Sequence, residues 1–389
     1  MIIPSFSSRL PAALTPNRIA EAVRRRRASG RGLIDLTVSN PTAAGFAYPE
    51  GLLAGLSDAR NLAYEPEAAG MPAAREAVAA EMSSRGTAVA PGAIVLTAST
   101  SEAYGYLFKL LCDPGDEVLV PQPSYPLFEW LTRLESVTAV PYRLEYEGRW
   151  RVDAGSVAAG LTPRTRAVLA VNPNNPTGSY CTREDLAGLA AAAPGVPIIG
   201  DEVFWDFPLP AAPAGRASVL ESGHPLVFAL GGLSKSAALP QLKLGWIAIG
   251  GTPSNIAAAR EKLELIADTY LSVSTPVQTS AASLIASGEA IRQQILERAR
   301  RNLQALAALV ARHPALNLLM AEGGWSAIVR VPAVTTEEDL VVALAEQDGV
   351  LVHPGYFFDF AHEAFLVVSL IVEPALFDEG VARLARRIA

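Results

Sequence analysis

Cysteine and histidine are scarce in this sequence. The two cysteines, Cys112 and Cys181, lie far apart, and the four histidines are scattered along the chain. A disulfide framework or a cysteine metal cluster needs several such residues at short, regular spacings. We therefore expect neither a disulfide framework nor a metal site.

An excess of positive charge is also absent. The 32 lysines and arginines are outnumbered by 39 aspartates and glutamates, which leaves a formal net charge of −7. A chain with this charge has no overall attraction for nucleic acid. The basic run at residues 24–27 falls within a helix predicted to begin near Thr15-Pro16-Asn17, where cations suit the negative end of the helix. We expect no nucleic-acid partner.

Long hydrophobic runs are missing too. The longest strongly apolar run, residues 365–372, includes Ser369 and is much shorter than the ~20 residues that a membrane span needs. The first nine residues include Pro4 and lack the apolar stretch of a signal peptide. We expect a soluble, cytoplasmic protein with no membrane partner.

Short apolar segments alternate with helical segments rich in Ala and Leu. With 389 residues, of which 50% are hydrophobic, the chain is long enough for two domains with sizeable cores. Six segments are apolar on both faces and are predicted to be buried strands: 94–97, 117–120, 167–171, 198–200, 226–229 and 246–249. The alternation predicts an α/β fold with a sheet covered by helices.

A second, smaller α/β unit is predicted in the last quarter of the chain. A long helix is expected over residues 276–312, which carry Ala, Leu and Ile at helical spacing. Three strand segments follow and interleave with helices, at 325–331, 350–353 and 365–371. The sequence contains neither an internal repeat nor a low-complexity linker between the two units.

Three polar residues follow predicted strands. Asn175 begins an Asn-Pro-Thr-Gly segment, Asp201 begins Asp-Glu-Val-Phe, and Lys235 lies in Gly-Gly-Leu-Ser-Lys-Ser. In isolation, the asparagine fits an ordinary turn and the lysine fits a surface position. Together, an amide, a carboxylate and an amine are the groups that a pyridoxal-phosphate site requires.

The order, spacing and flanking residues of these motifs resemble the class I/II aminotransferases of the aspartate aminotransferase superfamily. The resemblance covers nearly the whole chain and implies the fold of a fold-type I pyridoxal-phosphate-dependent transferase. It implies a large domain over residues 42–285, with a mainly parallel mixed sheet covered by helices. A smaller α/β domain would combine residues 1–41 and 286–389.

The resemblance also implies how four residues act on pyridoxal 5'-phosphate. Lys235 would form the Schiff base and then carry a proton, because burial and nearby cations can lower the pKa of a lysine. Asp201 would pair with the ring nitrogen, which explains how a carboxylate could be buried there. Asn175 would donate to the phenolic oxygen, and Tyr125 would stack on the ring.

Further residues are implied to bind the cofactor phosphate. Ser99, Thr100 and Ser101 follow a strand and precede a helix predicted from residue 102 onward, although such residues also serve as ordinary helix caps. Lys243 stands where an arginine is usual and keeps the charge without the bidentate fork. Tyr64 would reach the phosphate of a neighbouring subunit, so a homodimer with shared active sites is expected.

Besides Lys243, the sequence departs from the family pattern at three positions. Gly232 replaces a common serine, and Phe204 replaces the usual tyrosine. Val367 stands where most relatives carry the arginine that binds the substrate carboxylate, and a valine cannot bind a carboxylate. Either another cation such as Arg9 binds this group, or donors such as Asn40 suffice, or the substrate is not a simple α-amino acid.

The motifs and the resemblance together predict an aminotransferase that moves an amino group from an amino donor to a keto acceptor. The alternatives are a lyase or decarboxylase on the same fold, and a catalytically silent cofactor-binding regulator. Dehydrogenases of the Rossmann type and P-loop kinases are not favoured, because their glycine-rich motifs are missing from the sequence.

Overall fold

The computed structural model of the protein describes residues 6–11 and 15–388. The strands are β1 (Ile34–Asp35), β2 (Ile94–Thr97), β3 (Glu117–Gln122), β4 (Thr138–Tyr146), β5 (Trp150–Val152), β6 (Thr165–Val171), β7 (Ile198–Asp201), β8 (Leu226–Gly232), β9 (Gly245–Gly251), β10 (Asn317–Leu318), β11 (Ser326–Arg330), β12 (Val350–Leu351), β13 (His353–Pro354) and β14 (Phe365–Ser369). The α-helices are α1 (Arg18–Ala28), α2 (Pro72–Ser84), α3 (Thr100–Leu111), α4 (Phe128–Leu134), α5 (Ala154–Gly160), α6 (Arg183–Ala192), α7 (Leu233–Ser236), α8 (Pro253–Tyr270), α9 (Thr275–Thr279), α10 (Ala281–Val310), α11 (Glu337–Ala343) and α12 (Pro374–Ile388).

The large sheet has the strand order β2-β9-β8-β7-β6-β3-β4-β5. Its centre is parallel, whereas β9 runs antiparallel to both of its neighbours and β5 runs antiparallel to β4. All six strands predicted as buried lie in this sheet. The sequence did not predict β4 and β5, the last two strands at one end of the sheet. Most residues of β4 are exposed or half-buried, so it lacks the two apolar faces of a buried strand.

Helices cover both faces of the large sheet. Successive residues of a strand point to opposite faces, and β3 illustrates this, since Val118 and Val120 join one core cluster while Leu119 joins the other. The first cluster includes residues of α3 and α8, and the second includes residues of α2, α6 and α10. The predicted mainly parallel sheet covered by helices is therefore confirmed.

The smaller sheet has the order β10-β11-β14-β13 and is antiparallel throughout. The predicted strand over residues 350–353 is divided, because β12 pairs with β1 and the next residues pair with β14. The predicted division into domains stays a prediction. The pairing of β1 with β12 attaches an N-terminal segment to the C-terminal unit, while α10 continues without a break through residue 285.

The helices differ from the predicted ones mainly at their ends. Asn17 caps α1, as the Thr-Pro-Asn segment indicates. The long helix predicted over residues 276–312 is interrupted at Ser280, which separates α9 from α10.

Among the residues that the structure describes, no helix is long and apolar enough to cross a membrane. In the same residues, no group of three or more histidine, cysteine or acidic side chains could hold a metal ion.

A buried ion pair connects the edge of the large sheet to the segment before β11. Arg149 donates from Nε and Nη2 to the two carboxylate oxygens of Glu322, at 2.7 and 3.1 Å. The backbone N–H of Tyr180 donates to the same carboxylate at 2.9 Å. Only 3% of Glu322 is exposed. Arg149 Nη2 also donates to the carbonyl of Tyr180 at 3.0 Å, so it is Arg149 Nε and the backbone N–H of Tyr180 that depend on Glu322 for their hydrogen bonds.

Replacing Glu322 with alanine should destabilise the fold strongly. The Glu322→Ala variant removes the nearest carboxylate of a largely buried guanidinium and leaves Arg149 Nε and a buried backbone N–H without an acceptor, and we expect the free energy of unfolding to fall by about 3–5 kcal/mol. Denaturant unfolding of the purified variant measures this change. Glu338→Ala is a matched control, because Glu338 pairs with an Arg18 side chain that is 57% exposed, and the expected loss is below about 1 kcal/mol. Similar losses in both variants would contradict the structural role of the buried pair.

Candidate active site

The main cavity lies at the carboxyl ends of the parallel strands, a common location for ligand sites in α/β sheets. It is lined by residues from the ends of β6, β7 and β8, by the first turn of α3, and by β14 of the smaller sheet. The structure brings together seven of the predicted site residues around this cavity: Ser99, Thr100, Ser101, Tyr125, Asn175, Asp201 and Lys235.

Lys235 lies in α7, the short helix that directly follows β8. Its Nζ is 5.4 Å from the centroid of the Phe204 ring and 5.0 Å from that of the Trp325 ring. Burial lowers the pKa of Lys235 below its usual value, and the negative charge of Asp201 partly opposes this shift. A larger fraction of the amine is therefore neutral, which is the form that acts as a nucleophile or a base.

Asp201 is the last residue of β7, next to β8 in the sheet. Its Oδ2 accepts a hydrogen bond from the Tyr104 hydroxyl at 3.0 Å, and its Oδ1 accepts one from the backbone N–H of Val203 at 3.2 Å. Burial raises the pKa of Asp201, while these two hydrogen bonds and the charge of Lys235 oppose the rise. The carboxylate is thus held in a fixed orientation at the cavity, where a cationic ring nitrogen would relieve the cost of burying it.

Three asparagines occur in the segment around Asn175, and the structure distinguishes them. Asn172 is fully buried and bonds to backbone groups of Cys181 and Ala217. Asn174 is buried as well and bonds to Ser124 and other nearby groups. Asn175 lines the cavity, and its Oδ1 accepts a hydrogen bond from Ser326 Oγ at 3.3 Å. That bond orients the carboxamide and leaves its Nδ2 as a donor for a ligand.

The backbone conformation and close packing at position 178 explain why the Asn-Pro-Thr-Gly segment ends in glycine. Its φ is +70°, which side chains rarely tolerate, and a Cβ at this position would lie 2.6 Å from the carbonyl oxygen of Gly323. The turn that presents Asn175 therefore packs directly against the segment before β11. Any larger residue at position 178 would push apart the two segments that meet beside the cavity.

The first turn of α3 opens toward the cavity. Ser99 is the N-cap of this helix and accepts a hydrogen bond from the backbone N–H of Glu102 at 3.2 Å. The helix begins at Thr100, two residues earlier than predicted. Thr100 and Ser101 also line the cavity. Hydroxyl groups and free backbone N–H groups at a helix N-terminus form a site that favours an anion.

Four other residues considered in the sequence lie outside the cavity of this single chain. Lys243 is exposed, with a left-handed backbone after a short 3₁₀ turn. Tyr64 is 73% exposed and borders a separate depression. Asn40 Oδ1 accepts hydrogen bonds from the N–H and hydroxyl of Thr42, and Arg9 donates to the carbonyl of Leu134. Their predicted roles stay predictions.

The sequence did not single out several residues that shape the site. Tyr104 lies on α3 among apolar residues, and its helical spacing is that of an ordinary core residue. Trp325, Ser326 and His353 were included in predicted strands without any separate role. Only contacts between distant segments, such as Tyr104 with Asp201, show what these residues do.

Comparison with known proteins agrees with this arrangement. The sequence matches the family model for aminotransferase class I and II over residues 31–388. It is 26% identical over 370 residues to glutamate-pyruvate aminotransferase AlaA of Haemophilus influenzae, covering 92% of this chain and 91% of that protein. It is 27% identical over 286 residues to an alanine aminotransferase of Mycobacterium tuberculosis, covering 70% of this chain and 64% of that protein.

Solved structures share the fold. An alanine aminotransferase from Pyrococcus furiosus superposes with a TM-score of 0.85 at 22% identity, covering 95% of both chains. Aspartate aminotransferase from Thermus thermophilus with maleate gives a TM-score of 0.84 at 22% identity, covering 99% of this chain and 100% of the other. The predicted fold-type I architecture is therefore confirmed. Because the family match spans nearly the whole chain, this protein belongs to the aminotransferase class I and II family and is an aminotransferase.

Proposed function

We propose that this aminotransferase binds pyridoxal 5'-phosphate through Lys235 and works as a homodimer with shared active sites. The observation that supports the proposal most directly is the combination of Lys235 and Asp201 in one cavity. A buried amine with a lowered pKa and a buried carboxylate without a cationic hydrogen-bond partner match the aldehyde and the ring nitrogen of this cofactor.

The remaining polar residues of the cavity fit the other groups of the cofactor. The N-terminal turn of α3, with Ser99, Thr100 and Ser101, suits the phosphate. Asn175 offers its Nδ2 to the phenolic oxygen, while Ser326 holds the other end of the carboxamide. Tyr125 is 46% exposed at the cavity and offers a ring for stacking. When bound, the cofactor supplies the electron-accepting ring that stabilises the charge left on a deprotonated substrate carbon.

The protein contributes orientation and proton transfer. Once the substrate amine has displaced it, Lys235 would take a proton from the amine-bearing carbon of the substrate and deliver it to the aldehyde carbon of the cofactor, and its lowered pKa makes the neutral amine available for this role. Asp201 would hold the proton on the ring nitrogen of the cofactor, and Tyr104 keeps the carboxylate in position. The rings of Phe204 and Trp325 surround the amine and limit the access of water.

The described cavity offers no free cation for a substrate carboxylate. Glutamate, pyruvate and alanine, which appear in the names of those relatives, each carry a carboxylate beside the reacting carbon. Among the described residues that line the cavity, Lys235 is the only lysine or arginine. Its amine is required for the chemistry and cannot also serve as a permanent partner for a carboxylate.

Covalent attachment at Lys235 can be tested directly. Borohydride reduction of the protein with its cofactor should fix the cofactor on Lys235, because reduction makes the carbon–nitrogen bond permanent. Peptide mapping by mass spectrometry identifies the labelled residue, and Lys235→Ala is the control that should remain unlabelled. Labelling of Lys243 or Lys262 in place of Lys235 would rule out the assignment.

The contact between Tyr104 and Asp201 should affect turnover. Tyr104→Phe removes a hydrogen bond that stabilises the charged carboxylate, so the pKa of Asp201 should rise and kcat should fall by about tenfold, equivalent to about 1.4 kcal/mol. Since the ionised carboxylate is the active form, the acidic limb of the pH–rate profile should move to higher pH. Tyr106→Phe is the control, because Tyr106 is also buried on α3 but lies outside the cavity. Equal effects of the two variants would contradict the proposed role.

The role of Tyr64 in a partner subunit can be tested with hybrid dimers. Tyr64→Phe should weaken cofactor binding by about 1–2 kcal/mol, the contribution of one hydrogen bond to a charged group. In a hybrid of a Tyr64→Phe subunit with a Lys235→Ala subunit, the site that keeps Lys235 receives an intact tyrosine only if Tyr64 serves the partner. We expect this site to bind the cofactor with wild-type affinity in a spectroscopic titration. Weakened binding in the hybrid, or a fully active monomer, would contradict the shared site.

A further inference from the structure

The end of the cavity formed by β13 and β14 is apolar. Val367 lines it, is only 2% exposed, and belongs to the same apolar cluster as Ile328 and Phe358. Leu127, Phe128 and Leu131, around the start of α4, add further apolar surface to the cavity. This surface suits a hydrophobic group of a ligand.

The polar groups at this end are already occupied or uncharged. Ser369 Oγ donates to the carbonyl of Val38 at 2.6 Å, and Thr37 Oγ1 donates to Asp35 at 2.5 Å. His353 faces Val367 across the strand pair. Burial lowers the pKa of His353, and the charge of Asp35 only partly opposes this shift, so the imidazole is held in its neutral form near pH 7. None of these three side chains supplies a positive charge.

The two substitutes considered for the missing arginine do not reach this end in the described chain. Arg9 donates one guanidinium N–H to the carbonyl of Leu134 and another to Ser7. Asn40 is exposed, and its carboxamide oxygen caps the short 3₁₀ turn that follows it. A carboxylate placed beside Val367 would therefore lose its hydration without gaining a cationic partner, which is strongly unfavourable.

We propose that the amine-bearing carbon of the substrate carries no carboxylate, but hydrogen or a neutral, apolar substituent in its place. This inference rests on the proposed transamination. The substrate class is then a hydrophobic primary amine, and the product is the corresponding aldehyde or ketone. The C–N bond of the donor is broken and a C–N bond forms on the keto acceptor. The donor carbon takes its new carbonyl oxygen from a water molecule, and the carbonyl oxygen of the acceptor leaves as water. The donor is oxidised and the acceptor reduced by the same two electrons, so no other oxidant is needed.

The test compares two donors that differ only in the carboxylate. The cofactor-loaded wild-type protein is given 2-phenylethylamine or L-phenylalanine, and phenylacetaldehyde or phenylpyruvate is measured. We expect kcat/KM to be higher for 2-phenylethylamine by about tenfold or more. A preference for L-phenylalanine would overturn the inference, whichever group binds its carboxylate. This holds also if the group is an arginine of a partner subunit.

Equilibrium binding gives a second measurement that does not depend on turnover. Calorimetric titration of the loaded protein should show tighter binding of 3-phenylpropanamide than of 3-phenylpropionate, again by about tenfold. Tighter binding of the carboxylate would overturn the inference even if neither donor reacts. One set of results would separate the two proposals. The amide could bind more tightly and borohydride could label Lys235, while neither donor yields a carbonyl product. The proposed transamination would then fail, and the inference on the cavity would stand.

Substitutions at Val367 localise the effect. Val367→Arg should move both preferences toward the carboxylated compounds by about tenfold or more, since it supplies the missing cation. Val334→Arg adds the same charge at a position that is 88% exposed and outside the cavity, and it should leave both preferences unchanged. An equal shift in the two variants would overturn the role of position 367. If Val367→Arg does not fold, the wild-type comparisons still decide the inference.

Discussion

The burial of two ionisable groups beside one cavity, Lys235 and Asp201, is the constraint on which the proposed active site depends. Burial disfavours the charged form of each group, since it lowers the pKa of the lysine and raises that of the aspartate. Their mutual attraction opposes both shifts, and it requires that the two groups stay close. The fold meets this requirement because β7 and β8 are parallel neighbours, so that Asp201 and the helix that carries Lys235 emerge at the same edge.

Helix α3 covers one face of the large sheet and also contributes residues to two parts of the cavity. Its first turn presents Ser99, Thr100 and Ser101 to the cavity, and Tyr104 lies about one turn further and donates to Asp201. The same rigid helix thus links the predicted anion site to the carboxylate. A displacement of α3 would change the distance between these two sites, so its packing against β8, β9 and α8 also fixes the geometry of the active site.

The sequence predicted the centre of the large sheet well and its edge poorly, for a physical reason. Strands such as β6 and β7 are buried on both faces and leave a continuous apolar signal, whereas β4 at the edge does not. Asn175, Asp201 and Lys235 could be predicted to meet, because polar residues at the carboxyl ends of parallel strands converge. Tyr104 and Ser326 could not, because their roles arise from contacts between segments far apart in the sequence, 97 and 151 residues respectively.

Both sheets contribute residues to the cavity, and the two sets of residues differ in their chemical character. The groups suited to the cofactor come from the large sheet and α3, whereas Val367, Ser369 and His353 come from the smaller sheet. Alternation along β14 places Val367 and Ser369 on the cavity face, while Leu366 and Val368 join the core of the smaller unit. A substitution on the cavity face of β14 therefore changes the group offered to a substrate at a position that belongs neither to that core nor to the groups around Lys235. If the proposed roles hold, separate elements of one cavity set the chemistry and the choice of substrate, and changes in the smaller sheet alone could give the same fold a different substrate.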